Sequence, residues 1–222
     1  FDRGRYREAV DAASSGLEVT SGGGQFIGTM LVGLVTANLF IGSGEYARAE
    51  TVLDDLRRHV TGPVTDHFLA AIELNTAWLA HRSGDLPRRD RHLADALHCS
   101  TDPRARERLR WYPNALSELL PEAIAQRIDV EAARDLARLP QIAPVRLDLE
   151  HWPWKIRVLT LGHFEVQVDD RPLRFGRKVP KRTLAVLKAL IALGGEGVPE
   201  ERLIDALLAF SKIVNGSCAW AE

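Results

Sequence analysis

The stretches Gly4-Arg5-Tyr6-Arg7-Glu8-Ala9, Gly44-Glu45-Tyr46-Ala47-Arg48-Ala49 and Gly84-Asp85-Leu86-Pro87-Arg88-Arg89 stand 40 positions apart, and each opens an amphipathic segment. A period of roughly 20–50 residues marks supersecondary units that stack on one another. Nine residues beyond the glycines come Ala13, Leu53 and Leu93, an apolar position in every copy. The preceding segments, 25–41 and 65–82, have helical patterning, so each unit reads as helix, glycine turn, helix. Glycine suits that turn because it tolerates the left-handed conformation that ends a helix. Phe68, Ile72 and Leu79, with Ala71 and Trp78 beside them, form a stripe that one hairpin alone cannot bury; stacked neighbours can.

Working outward, helical patterns continue from Asp102 to Leu139, with Pro103 near a helix start and Pro113, Pro121 and Pro140 as breakers. Residues 140–154 read as a linker, because Pro140, Pro144 and Pro153 exclude a continuous helix. The period then changes from 3.6 to 2. Residues 156–161 and 164–168 alternate as strands, Asp169-Asp170-Arg171-Pro172 forms a turn, and a third short strand is expected around 172–175. A helix over 181–193 carries Leu184, Leu187 and Ile191 on one face and ends at Gly194-Gly195. Pro199-Glu200-Glu201 opens another, with Leu203, Ile204 and Leu207 expected to be buried.

Composition fits a globular chain of two domains, with 45% apolar and 27% charged residues among 222. Charge is segregated along it. Residues 1–151 hold 18 Arg and no Lys against 22 acids, a net of −4, while residues 152–193 hold nine cations against three acids, a net of +6. Cys99 and Cys218 lie far apart, which suits a reducing cytosol better than a disulfide scaffold. Phe26 to Ile41 is shorter than the roughly 20 residues of a membrane span and is interrupted by Gly28, Gly33, Thr36 and Asn38, so it reads as a buried helix. No signal peptide precedes it, and a cytoplasmic protein without membrane contact is expected.

At Trp152-Pro153-Trp154-Lys155-Ile156-Arg157-Val158-Leu159-Thr160-Leu161-Gly162-His163-Phe164-Glu165-Val166 the sequence resembles the start of the C-terminal winged-helix domain of large MalT-like transcription regulators. In this domain those regulators are similar to the antibiotic-regulatory (SARP) family. Pro172-Leu173-Arg174-Phe175, Lys181-Arg182, the run Leu187 to Gly195 and the run Gly197 to Leu207 continue the likeness over some 55 residues. The helical segment before it resembles tetratricopeptide repeats with a longer period than the usual 34.

The resemblance implies a mainly α chain with four parts: tetratricopeptide-like hairpins over 1–139, a Pro-rich linker over 140–154, a partial OmpR-type winged helix over 155–207 and a non-matching tail over 208–222. In that family an NTPase stands upstream, so ATP belongs to a segment before Phe1 and no cofactor is expected in this chain. After Leu207, where the family continues with Trp-Pro-Asp, a recognition helix and a wing, this chain has Leu208-Ala209-Phe210-Ser211, and the expectation is a C-terminally truncated domain.

The basic residues Arg174, Arg177, Lys178, Lys181 and Arg182 lie between the third strand and the next helix, where cations meet DNA phosphates. Duplex DNA is the expected partner, bound weakly and without sequence preference, and a protein or peptide is expected on the helical repeats. The competing reading is an interaction scaffold of helical repeats without DNA binding. Ser21-Gly22-Gly23-Gly24-Gln25 lacks the Gly-Lys-Ser/Thr ending of a phosphate loop. His92, His98 and Cys99 fit no zinc spacing. No Gly-x-Ser-x-Gly elbow or His-Glu-x-x-His helix occurs, so neither catalytic residues nor metal ligands are assigned and no enzyme is expected.

Overall fold

The computed structural model describes residues 6–22, 26–60, 62, 66–146, 148–149, 151–175 and 180–216. The chain divides into two units, residues 1–157 with 168–170 and residues 158–167 with 171–222.

The first unit is helical: α1 Tyr6–Gly22, α2 Phe26–Ser43, α3 Tyr46–His59, α4 Asp66–Ser83, α5 Leu86–Cys99, α6 Pro103–Leu109, α7 Pro113–Gln126 and α8 Val130–Ala137. The turns explain the spacing of its glycines. Gly44 has φ +87° and Gly84 has φ +84°. At the first, Glu45 N–H donates to Phe40 O (2.8 Å) and Gly44 N–H to Ile41 O (3.2 Å). Forty residues on, Asp85 N–H donates to Ala80 O (2.9 Å) and Gly84 N–H to His81 O (3.2 Å). This double bond pattern around a left-handed residue is the Schellman end of a helix. The turn between α7 and α8 has the same pattern, Ile128 N–H to Ala123 O at 2.8 Å and Arg127 N–H to Ile124 O at 3.4 Å, with Arg127 (φ +58°) in the glycine's place. Nine residues beyond these turns Leu53, Leu93 and Leu136 are all buried. The Gly4 copy lies outside the described residues.

The core of this unit runs from Val10 to Trp152. Helix α4 is its centre: residues 70–80 are buried without a break, because α2, α3, α5, α6 and α7 all pack on it. A stripe was the expectation, and a helix covered all round is what neighbours on every side produce. Helix α2 is long and apolar enough to pass a length-and-composition test for crossing a membrane, yet Met30, Leu34, Ala37 and Ile41 are 0% exposed within the helical unit.

Two expectations from the prolines change. Pro121 lies inside α7 instead of breaking it. Proline lacks the N–H that would bond the carbonyl four residues back; that carbonyl, Ser117 O, accepts from Val145 N–H at 3.4 Å. The Pro-rich segment 140–154 supplies that donor. Its described residues form neither helix nor strand, but it is docked, with Ile142, Pro144, Trp152 and Pro153 buried.

After the helices comes a small antiparallel sheet, β1 Ile156–Leu159, β2 Glu165–Val168 and β3 Arg171–Pro172 in that order, of which Ile156, Arg157 and Val168 are counted with the first unit and the rest with the second, followed by α9 Lys181–Ala192 and α10 Glu200–Gly216. Asp169 and Asp170, with φ +50° and +60°, form the two-residue turn that matches strand twist in a tight hairpin. The third strand is two residues long and sits at 171–172, earlier than the 172–175 expected; Leu173 N–H still reaches Val166 O (2.7 Å). All four residues of β2 are half-buried, so the sheet does not sort an inner from an outer face there. The burial expected on the helices also fails in part: Leu184, Leu187, Leu203 and Leu207 are half-buried, while Ile191 and Ile204 are 38% and 47% exposed. The cause is a shortage of neighbours, since α9 and α10 pack mainly on each other. Helix α10 continues through 208–216 without a break at Leu207. Cys218 and Trp220 lie outside the described residues.

Candidate functional site

Of the five cations expected to meet phosphate, Arg174, Lys181 and Arg182 are described and all are exposed; Arg177 and Lys178 lie outside the described residues. Helix α9 places two of them. Pro180 is its N-cap and has no side chain able to cap the first turn, which contains no acid. The first intrahelical bond is Leu184 N–H to Pro180 O (3.0 Å). The N–H groups of the residues before it have no carbonyl four residues back within the helix, and the positive end of the helix dipole carries Lys181 and Arg182 on top. Cations at this end are mutually unfavourable until an anion arrives. The arrangement is therefore able to hold a phosphate or carboxylate by charge and backbone donors together. Lys188, about two turns along α9, lies 4.5 Å from the ring centre of Phe164, the residue just before β2, in a cation–π contact.

The helical unit contains polar groups that sequence reading did not single out. Glu73 on α4 is 4% exposed; Arg57 donates to its Oε1 at 2.5 Å and His92 Nδ1 lies 2.6 Å from its Oε2. Burial would raise the Glu73 pKa, but the hydrogen bonds from His92 and Arg57 outweigh it and hold the carboxyl below its ordinary 4.5. Asp95 comes close enough that Glu73, His92 and Asp95 could surround a cation. Both Glu73 oxygens are already engaged by Arg57 and His92, so the cluster ties α3, α4 and α5 together as an ion-paired network. His98 is exposed and Cys99 half-buried on the same helix, away from any zinc-type set among the described residues.

Further bonds link successive hairpins. Asn38 on α2 donates to Asn75 on α4 (3.0 Å), Trp78 Nε1 on α4 donates to Glu118 on α7 (2.8 Å), and the buried Arg89 reaches Glu122 (2.9 Å). Trp78 and Glu118 stand one 40-residue period apart, so the register is a signal that could have paired those two, whereas Asn38–Asn75 and Arg89–Glu122, 37 and 33 residues apart, do not follow it. Beside this ladder an apolar groove of about 610 Å³ opens between α1, α2 and the turn at Trp111–Asn114. Its volume suits a drug-sized ligand or a row of side chains.

No family model, curated protein or solved structure matches the chain.

Proposed function

We propose that the chain is part of a cytoplasmic transcription regulator in which tetratricopeptide-like hairpins receive a signal or a protein partner and a partial winged helix engages duplex DNA. The observation that carries this reading is the exposed Lys181 and Arg182 at the uncapped, acid-free start of α9, with the exposed Arg174 shortly after β3. Phosphate contacts from such residues position a protein on DNA without reading bases. The MalT-like resemblance of residues 152–207 supports the same assignment, with Arg177 and Lys178 completing the cationic set. No catalytic step is assigned to the chain.

The test is an anisotropy titration of the full chain against two unrelated duplexes at about 50 and 200 mM salt. The expected result is weak binding, equal for both duplexes, that falls steeply with salt, because bound cations release condensed counterions. The triple variant Arg174→Ala, Lys181→Ala, Arg182→Ala should lower the salt slope by up to about 3, roughly 0.9 for each phosphate no longer neutralised. An unchanged slope removes these residues from the interface. The groove of the helical unit favours a second reading, an interaction scaffold without DNA binding, and absence of binding at low salt would select it.

A further inference from the structure

The apolar groove does not end at Asn114. That residue also lines a second, smaller cavity of about 200 Å³, with Gly42, Trp78, Arg82, Ser117 and Glu118. Helix geometry sets the two end to end. Leu31, Val35, Asn38 and Gly42 follow one another at steps of four, three and four, so they lie along one face of α2, the first three on the large cavity and the last on the small one. Asn114, Ser117 and Glu118 share a face of α7 by the same spacing. At 1.5 Å per residue the α2 face runs for roughly 16 Å.

The two ends differ in chemistry. The large cavity is lined by Ala12, Ala13 and Gly16 of α1 and by Leu31, Val32 and Val35 of α2, whose side chains offer no hydrogen bond. Peptide groups placed there would stay unpaired, whereas a hydrocarbon body would not. At the small cavity Glu118 is already engaged, its Oε2 accepting from Trp78 Nε1 at 2.8 Å and its Oε1 from Arg82 Nη1 at 3.4 Å. That long bond is the only one the Arg82 side chain makes to another described residue, so the guanidinium keeps most of its five donors for something else. Asn114 is exposed between the two cavities. Helix α7 begins beside it with no acid in its first turn and no side-chain bond at its N-cap, which adds the positive end of a helix dipole. One end thus has surplus donors and positive potential, and the rest is hydrocarbon.

We propose that this groove binds a small amphipathic carboxylic acid, its apolar body against α1 and α2 and its carboxylate at Arg82 and Asn114. Trp111, 57% exposed and lining the large cavity, is covered by the body when the ligand is bound. The inference names a chemical class for the signal that the proposed regulator would receive, but it stands on the groove alone. No DNA enters its test, so its failure leaves the DNA-binding reading as it was.

The test titrates the full chain with decanoate, decanol and decyltrimethylammonium, which share a tail and differ in head charge. Decanoate should raise the melting temperature and shift tryptophan emission to the blue, the shift being lost in Trp111→Phe. Its dissociation constant should be about tenfold below that of either other head. Arg82→Gln should remove that advantage without changing decanol binding, and Arg82→Lys should restore most of it. Ala12→Phe and Val35→Phe fill the apolar end from opposite walls at positions already exposed, and each should weaken decanoate about tenfold. Trileucine, with the same end group but internal amides, should bind less tightly than decanoate; the reverse order assigns the groove to a peptide terminus and overturns the proposal. Equal affinity for the three heads, or a preference that survives Arg82→Gln, overturns the carboxylate assignment. Decanoate binding that survives both fillers puts the ligand elsewhere, and no binding by about 1 mM removes this class of ligand from the groove; each of these contradicts the proposal.

Discussion

In the helical unit Ile72, Leu93 and Leu116 are 0% exposed, whereas among the described residues no side chain beyond Pro153 is buried. The two units draw on similar apolar residues. They differ in how many elements surround each helix: α4 has α2, α3, α5, α6 and α7 about it, while α9 has chiefly α10. A leucine contributes roughly 1.5–3 kcal/mol only when neighbours remove it from water, so the same residue type stabilises the first unit far more than the second. Hydrophobic periodicity thus specifies a helix's inner face but not whether anything will cover it.

The largest expected effect comes from emptying a core position in one unit and its counterpart in the other. Leu93→Ala should cost about 2–5 kcal/mol, the transfer loss plus a cavity, while Leu187→Ala on half-buried α9 should cost about 1 kcal/mol. Urea unfolding followed by helix signal measures both. Equal costs would erase the difference between the units.

The Glu73 network sharpens the contrast through pH. A carboxyl whose pKa is lowered on folding binds fewer protons folded than unfolded. Its stabilisation is therefore fully present above the ordinary 4.5 and is lost as pH falls through the lowered folded value. Glu73→Gln should remove about 1–3 kcal/mol at neutral pH and flatten the loss of stability below pH 4.5. Thermal melts between pH 3 and 7 on both proteins check this; an unchanged acid limb would show that Glu73 does not set the acid stability of the helical unit.

Smaller effects test the turns. Gly84→Ala forces an L side chain to φ +84° and should cost about 1–2 kcal/mol, although nothing blocks the added methyl. Arg127→Gly, at φ +58°, should gain up to about 1 kcal/mol by relieving the same strain. If both substitutions were neutral, the left-handed turns would not be what fixes the hairpins.

These turns also show how much the sequence made legible. Gly44 and Gly84 were readable because glycine is the cheap residue for a left-handed helix end. Arg127 was not, since an arginine in that conformation looks like any surface arginine, and the third hairpin went unread with it. Pro121 misled for a related reason: a proline stops a helix unless something else satisfies the carbonyl it frees, and Val145, 24 residues later, does so. The network of Arg57, Glu73 and His92 spans three helices, so no local pattern announces it. Arg174, Lys181 and Arg182 were legible as part of a charge run, and their exposure follows from it. The expected burial of Ile191 and Ile204 failed because it depended on elements outside their own helices.

Native-state hydrogen exchange on the full chain tests the difference between the units most directly, because it reads the stability of each element separately. Amides of α4, α5 and α7 are expected to exchange only through global opening of the helical unit, while those of β1, β2, α9 and α10 exchange at least a hundredfold faster. Protection in α9 and α10 equal to that in α4 would contradict it.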